Sequence, residues 1–248
     1  MKSKTLTHPR LNKGRITTIH YPLSDTEFDN QFNEIFDQEH YKLGRIKDSV
    51  YVDIGANIGL TAHYFAPFAT KYYAIEPSKE CFEALEKNTQ DLPIERFNIA
   101  ILPSDRQYNL FQTAKDSVGQ TFFANEGSTF GHESVHGIPI DQFFRENNIE
   151  HVDVMKVDIE NAEYVLFPDD SFARVADKID TIIGEAHYDT ITGAIPAILP
   201  VILDKYGFTT TFTKDKNFIY KLFYTQTNGR QDIHDLQCNT IFVSRRNK

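Results

Sequence analysis

The residues best suited to chemistry begin at a strand end. Val52-Asp53-Ile54-Gly55-Ala56-Asn57-Ile58-Gly59 runs from a β-rich stretch into a turn with two glycines and then a helix. Gly55 and Gly59 let the backbone bend and come close to a ligand. The dinucleotide fingerprint G-x-G-x-x-G is not met, because its second and third glycine positions hold Asn57 and Leu60. Asp53 places a carboxylate in the turn region, where it repels a pyrophosphate and attracts a cation. S-adenosylmethionine has no phosphate and carries a sulfonium and an ammonium, so it suits this turn better than NAD does. Glu76 ends the next strand, where a carboxylate accepts hydrogen bonds from both hydroxyls of a ribose. That feature serves either ligand and indicates only an adenosine-type molecule.

Methyl transfer from such a donor needs an acceptor atom in line with the methyl carbon, and a hydroxyl acceptor must also lose a proton. Two later strand ends supply candidates. Lys156-Val157-Asp158-Ile159-Glu160 alternates as a strand does, so Lys156, Asp158 and Glu160 share one face. Charges on a central strand are costly if buried and unpaired, which favours a site or a salt bridge. Asp158 is the first candidate for orienting or deprotonating the acceptor, with Glu160 and then Glu163 behind it. Glu185-Ala186-His187 ends the fifth strand, and His is the usual general base near neutral pH, so His187 is the alternative to Asp158. His132 and His136 could share a helix face, but Gly131 and Gly137 argue against a helix. No metal site is assigned, and a metal-assisted route through Asp158 and neighbouring acids is not demanded.

These groups need a frame that brings distant strand ends together. Residues 1–23 show no clear periodicity. The basic residues gathered at the start (Lys2, Lys4, Arg10, Lys13, Arg15) and at the end (Arg245, Arg246, Lys248) read as solvated tails. From Ser24, the residues Phe28, Phe32, Ile35 and Phe36 recur at helical spacing, with Ser24 and Asp25 as caps. Strand signals then cover 50–54, 71–76, 94–101, 152–158 and 181–185. Helix signals lie between them at 59–68, after Pro77, at 141–148 and from Ala162, and a last one covers 196–206 and stops at Gly207. Two β-rich runs, 208–213 and 240–244, close the chain. Such alternation implies a mostly parallel sheet covered on both faces, with ligands bound beyond the carboxyl ends of the strands at the switch point. Residues 104–140 break the rhythm and predict a hairpin or loop insertion; with 214–238 they are expected to cover the acceptor side.

The 248 residues suit one large α/β domain, here divided into an N-terminal extension with one helix over 1–45 and a ligand-binding domain over 46–248. A net charge of −9 argues against general nucleic-acid binding. No stretch approaches the roughly 18 apolar residues that cross a bilayer, and no apolar run follows Met1-Lys2-Ser3-Lys4 as a secretory signal requires. Cys81 and Cys238 lie far apart without metal-ligand spacing, so two free thiols and a cytoplasmic setting are expected. Homo-oligomer formation is compatible with the sequence and not signalled by it.

The order of these pieces resembles the FkbM family of methyltransferases. The match runs through Val52 to Gly59, Ala74-Ile75-Glu76-Pro77, Asn98-Ile99-Ala100-Ile101, Ile140-Asp141-Gln142-Phe143, Val152 to Glu160 and Asn239-Thr240-Ile241-Phe242-Val243. It implies a class I methyltransferase, Rossmann-like α/β fold that binds S-adenosylmethionine. The cofactor residues are then Asp53, Gly55, Ala56, Asn57, Gly59, Thr61, Glu76, Pro77, Asn98 and Ala100. It also implies O-methylation as the commonest activity, with a small molecule or carbohydrate as acceptor. A silent S-adenosylmethionine-binding domain and an NAD-dependent oxidoreductase are the competing readings. One departure is visible: Asn161-Ala162-Glu163 stands where the family has Gly-Ala-Glu. Asn tolerates a positive φ and keeps the turn available.

Overall fold

The computed structural model describes residues 1–9, 11–41, 47–112, 120–122, 131–187, 198–212 and 240–247. The aperiodic start of the chain holds a structure that the sequence did not signal: β1 (Lys2–Leu6) and β2 (Thr17–Tyr21) pair antiparallel. α1 (Asp25–Phe32) follows as expected, opened by a capping box in which the Glu27 N–H donates to Ser24 Oγ (3.2 Å) and the Ser24 N–H donates to the Glu27 carboxylate (3.2 Å). Two of the basic residues here, Lys2 and Lys4, are not part of a loose tail. Lys2 and Lys4 sit on β1, and their ammonium groups meet Asp25 (3.0 Å) and Asp29 (2.5 Å) of α1. Arg10 lies outside the described residues.

The main body alternates as predicted. Its first half comprises β3 (Ser49–Ile54), α2 (Leu60–Phe65), β4 (Ala69–Ile75), α3 (Lys79–Asn88) and β5 (Glu95–Phe97). The expected strand over 94–101 is in fact two: after β5 the chain leaves the main sheet, and β6 (Ala100–Ile101) pairs elsewhere. The insertion then forms β7 (Arg106–Gln112), β8 (Gln120–Thr121) and β9 (His132–Ile138), which join β6 in a second sheet ordered β6-β9-β7-β8. His132 and His136 thus lie on a strand, not a helix. The second half comprises α4 (Ile140–Glu146), β10 (Val152–Val157), α5 (Glu163–Leu166), α6 (Asp170–Ala173), β11 (Ile179–Ala186), α7 (Leu199–Asp204), β12 (Phe208–Phe212) and β13 (Thr240–Arg246). Arg245 and Arg246 belong to β13 and are no tail either: Arg246 Nε donates to the Ile179 carbonyl (3.0 Å), and its guanidinium lies over the Phe208 ring. Residues 214–238, Cys238 and Lys248 lie outside the described residues.

The main sheet has the order β12-β13-β11-β10-β3-β4-β5. β11, β10, β3, β4 and β5 are parallel, while β13 runs antiparallel to both β11 and β12. From β3 the chain builds outward to β4 and β5, then returns to lay β10 and β11 on the other side. The gap between β3 and β10 is therefore the topological switch point. Two apolar layers flank the sheet. On one face Tyr51, Tyr72 and Val154 pack with residues of α2 and α3 and with Leu11, Ile19, Phe28 and Phe36 of the N-terminal segment. On the other, Val52, Ile54, Met155 and Ile182 pack against Phe143 and Phe144 of α4, Phe172 of α6 and Leu203 of α7. This is the mostly parallel sheet with helices on both faces that the family resemblance implies. Among the described residues no helix is long and apolar enough to cross a membrane.

Candidate active site

A cleft opens over the carboxyl ends of β3, β4, β10 and β11. Its floor is the turn after β3. Gly55 takes φ +83°, and a β-carbon there would stand 1.9 Å from the Asp158 carbonyl oxygen, so only glycine fits. At the end of β10's other neighbour, a β-carbon on Gly184 would stand 1.9 Å from the Val157 carbonyl oxygen. Asn57, at the fingerprint's missing glycine position, takes φ +49°, a left-handed conformation that Asn tolerates. Asn161 likewise takes φ +79°, so the turn after β10 is kept without the family's glycine.

Glu76 stands at the end of β4 and lines the cleft. The Asn57 N–H donates to its Oε2 and the Ser78 N–H to its Oε1, both at 2.8 Å. Burial pushes its pKa up to about 7, and those two N–H donors limit the rise. Asn98 does not line the cleft; its side-chain amide donates to the Glu76 and Pro77 carbonyls (2.9 Å each) and fixes the bend that presents Glu76.

Asp53 lies beneath the cleft and does not line it. Its Oδ2 accepts from Thr61 Oγ1 (2.5 Å) and Tyr72 OH (2.7 Å), and Lys156 Nζ stands 3.2 Å from its Oδ1. The alternation of charge along β10 therefore resolves first as a buried ion pair across two strands. Lys156 also donates to the Gly55 carbonyl (2.5 Å) and lies 3.5 Å from Asp158 Oδ2. Burial opposes its charge, but Asp53 and Asp158 outweigh burial and raise its pKa.

Asp158 follows β10 and lines the cleft beside Lys156. Burial works against its ionisation, yet Lys156 and His187 win and hold its pKa below the usual carboxylate value. Tyr41 OH donates to Asp158 Oδ2 (3.0 Å). Burial and Asp158 keep that phenol well above its ordinary pKa. His187 sits behind these groups, 4% exposed. Its Nδ1 lies 2.9 Å from Glu163 Oε1, and its backbone carbonyl accepts from Tyr164 OH (2.6 Å), so α5 fixes both ring and backbone. Burial lowers the His187 pKa, but Glu163 and Glu160 overcome it and push it well above the usual value. Glu185, at the end of β11, is raised to about 8 by burial and by Asp158.

Of the residues predicted from sequence, the structure brings Gly55, Ala56, Asn57, Thr61, Glu76, Pro77, Ala100, Asp158 and Glu160 together on one cleft. His187 backs that cleft, while Asp53, Gly59 and Asn98 support it from outside its lining. Sequence reasoning missed Tyr41, Lys156 and Glu185 as site residues, together with Glu34 and His40, which also line the cleft. Lys156 and Glu185 were visible as strand-end charges. Nothing local to Tyr41 announces that the N-terminal segment folds over the switch point.

The segment that carries this cleft, residues 53–210, matches one known family model, the methyltransferase FkbM domain. The chain belongs to the FkbM methyltransferase family. It is also 25% identical to the AMB antimetabolite synthetase AmbE of Pseudomonas aeruginosa over 237 aligned residues, covering 78% of this chain. The chain spans about a tenth of that relative's length, 11%. Among solved structures it resembles magnesium protoporphyrin IX methyltransferase from Synechocystis PCC 6803 with S-adenosylmethionine bound (10% identity, TM-score 0.48, 90% of this chain and 81% of that one). It also resembles an rRNA methylase from Streptococcus thermophilus (12% identity, TM-score 0.47, 85% and 95% coverage). The matched segment is therefore an S-adenosylmethionine-dependent methyltransferase domain of class I fold. The cleft fits that donor: Asn57 Oδ1 is buried with no hydrogen-bond partner among the described residues, and each Glu76 oxygen keeps lone-pair capacity beyond its one N–H.

Proposed function

We propose that this FkbM domain methylates a hydroxyl oxygen of a small molecule or sugar. The observation that carries the reading is the placing of Glu76 and Asp158 on opposite sides of the Gly55–Gly59 turn, one strand away each, facing one cleft. Glu76 accepts the ribose hydroxyls, and the Asn57 side chain offers a further acceptor beside them. S-adenosylmethionine, when bound, supplies an electrophilic methyl carbon. Asp158 orients the acceptor hydroxyl by accepting its hydrogen bond and takes its proton as the oxygen–methyl bond forms and the sulfur leaves, when that proton has become strongly acidic, with Tyr41 and Lys156 holding its carboxylate in place. His187 is the alternative base, but its Nε2 sits behind the carboxylates and Asp158 lies on the cleft itself. Glu34, Asp158 and Glu160 give the acceptor side an acidic wall, which favours neutral hydroxyls over phosphorylated acceptors. The insertion belongs to the same reading, since Leu110 of β7 and Phe122 line the cleft. A cytoplasmic setting accords with the free, buried thiol of Cys81.

Calorimetry with S-adenosylhomocysteine and with NADH tests the donor side. A methyl-transfer assay on hydroxylated small molecules, sugars, their phosphates and amines tests the acceptor side. Binding of S-adenosylhomocysteine and methylation of an unphosphorylated hydroxyl are expected. NADH binding in its place would turn the reading toward an oxidoreductase. Tight binding with no methylated product across the panel would favour a silent domain.

A further inference from the structure

His187 presents a nitrogen that its surroundings leave unused. A carboxylate oxygen can only accept from a ring N–H, so the Nδ1 contact to Glu163 Oε1 (2.9 Å) puts a proton on Nδ1 and directs Nε2 toward the acids of the cleft. Glu163 is itself fully buried and anchored by the Ile159 N–H (3.0 Å). Nε2 is buried and has no hydrogen-bond partner among the described residues. Around it stand Asp158 Oδ1 at 3.7 Å, Glu160 Oε2 at 3.6 Å and Glu185 Oε2 at 3.8 Å. These separations are long for an N–H···O bond, whose usual span is about 2.7–3.2 Å. They come close to the spacing of atoms that share one cation. Ligands about 2.1 Å from a common ion stand roughly 3.0 Å apart at octahedral angles and roughly 3.4 Å at tetrahedral ones.

We propose that this corner of the cleft binds a divalent transition-metal cation through His187 Nε2, Asp158 and Glu185. The ligand atoms of these three residues all lie within 4.8 Å of one another. The buried carboxylate behind the imidazole is the arrangement that fixes ring orientation and tautomer in metal-bound histidines. One imidazole with two carboxylates suits Mn2+ or Zn2+ better than an all-oxygen site for Ca2+ would. The ion would lie where Asp158 meets the acceptor, so the acceptor oxygen becomes a further ligand and acceptors are chosen by whether a hydroxyl reaches it. No spacing in the sequence announces such a site, because Asp158 comes from the end of β10 and the other two from the end of β11.

The inference rests on the methyltransferase reading of the cleft, and the test keeps the two apart. The protein is stripped with a chelator and titrated with Mn2+, following loss of the free-ion spin-resonance signal, while calorimetry with S-adenosylhomocysteine runs on the same samples. One Mn2+ per chain is expected, with at least tenfold weaker binding in His187→Gln and in Glu185→Gln. Glu163→Gln, which touches the ion only through His187, should weaken it about 10–100-fold. S-adenosylhomocysteine binding should persist in these variants and shows that each is folded. A wild-type protein that binds S-adenosylhomocysteine but no Mn2+ overturns the metal site and leaves the methyltransferase reading standing. A wild-type protein that binds no S-adenosylhomocysteine overturns that reading instead. Mn2+ binding unchanged by His187→Gln and Glu185→Gln but lost in His151→Gln would put the ion at the outer His151–Asp153–Asp180 group and also overturn the proposal.

Discussion

On the proposed reading, the donor side of the cleft is built almost wholly from one stretch, Gly55 to Pro77, in which turn, helix and strand follow in order, whereas the acceptor side is gathered from distant parts of the chain. The acceptor side is assembled from Tyr41 ahead of β3, Asp158 and Glu160 after β10, and Glu185 and His187 at the end of β11. On the donor side backbone geometry does most of the work: N–H groups hold Glu76, and glycine makes room. On the acceptor side, side chains hold side chains, through Lys156, Tyr41 and Glu163. If the function proposed above holds, the backbone-built wall tolerates changes of acceptor, whereas the wall of mutually dependent charges sets which acceptor reacts. If so, substitutions should separate donor binding from turnover cleanly.

The largest separation is expected from Asp158→Asn. General-base assistance is worth about 10²–10⁴ in rate, and turnover should fall on that scale while S-adenosylhomocysteine affinity hardly moves. His187→Gln is the companion: if it is the crippled variant and Asp158→Asn is near normal, the roles within the acceptor wall are exchanged. Asp53→Ala probes the layer under both walls. It leaves the buried Lys156 charge without its closest carboxylate, and breaking such a pair costs about 3–5 kcal/mol. Urea unfolding should show that loss. Unchanged stability with lost donor binding would return Asp53 to the ligand, as its strand-end position first suggested. Glu76→Ala acts on the donor wall alone and should weaken S-adenosylhomocysteine about tenfold to a hundredfold by calorimetry, the value of a hydrogen bond to a charged group. An equal loss from Asp158→Asn would break the division.

The smallest effect is one of pH. The ionised Glu76 is the better acceptor for ribose hydroxyls, and in the free protein its pKa lies at about 7. Binding favours the ionised form, so affinity is at its full value above that pH. Below it the carboxyl must first release a proton, and affinity falls by at most about tenfold per pH unit. Calorimetry from pH 8 down to pH 6 should show the decline in the wild type and a flat profile in Glu76→Gln.

The same division explains what was legible in the sequence. The parallel sheet, the glycine turn and Glu76 follow from local patterns, because a strand end and the helix after it are neighbours in the chain. Asp158 and His187 were readable as charged residues at strand ends, but their meeting depends on β10 and β11 lying side by side. Asp53 lies under the cleft and not in its lining, a distinction the sequence does not carry, because a strand-end carboxylate reads the same whether it faces a ligand or a buried lysine. Only the partner Lys156, on another strand, decides between them. The β1–β2 pair escaped notice because short, half-exposed strands leave no strong alternation. Tyr41 was missed for a similar reason: its value lies in a contact with Asp158 that no period in the sequence encodes.

Gly55 and Gly184 press the ends of β3, β10 and β11 together until a single methyl group would not fit between them. The Val157–Asp158 backbone thus has a glycine close on each side, Gly184 against the Val157 carbonyl and Gly55 against the Asp158 carbonyl. The span from the turn to Asp158 is therefore a fixed gauge, set by peptide dimensions and not by the choice of side chains. On the proposed function, loops around the mouth can be exchanged, and with them the molecules admitted, without retuning the distance between the donor turn and Asp158. Divergence of acceptors within such a fold then comes at little risk to the chemistry, because the one measurement that chemistry depends on is kept where substitution cannot easily reach it.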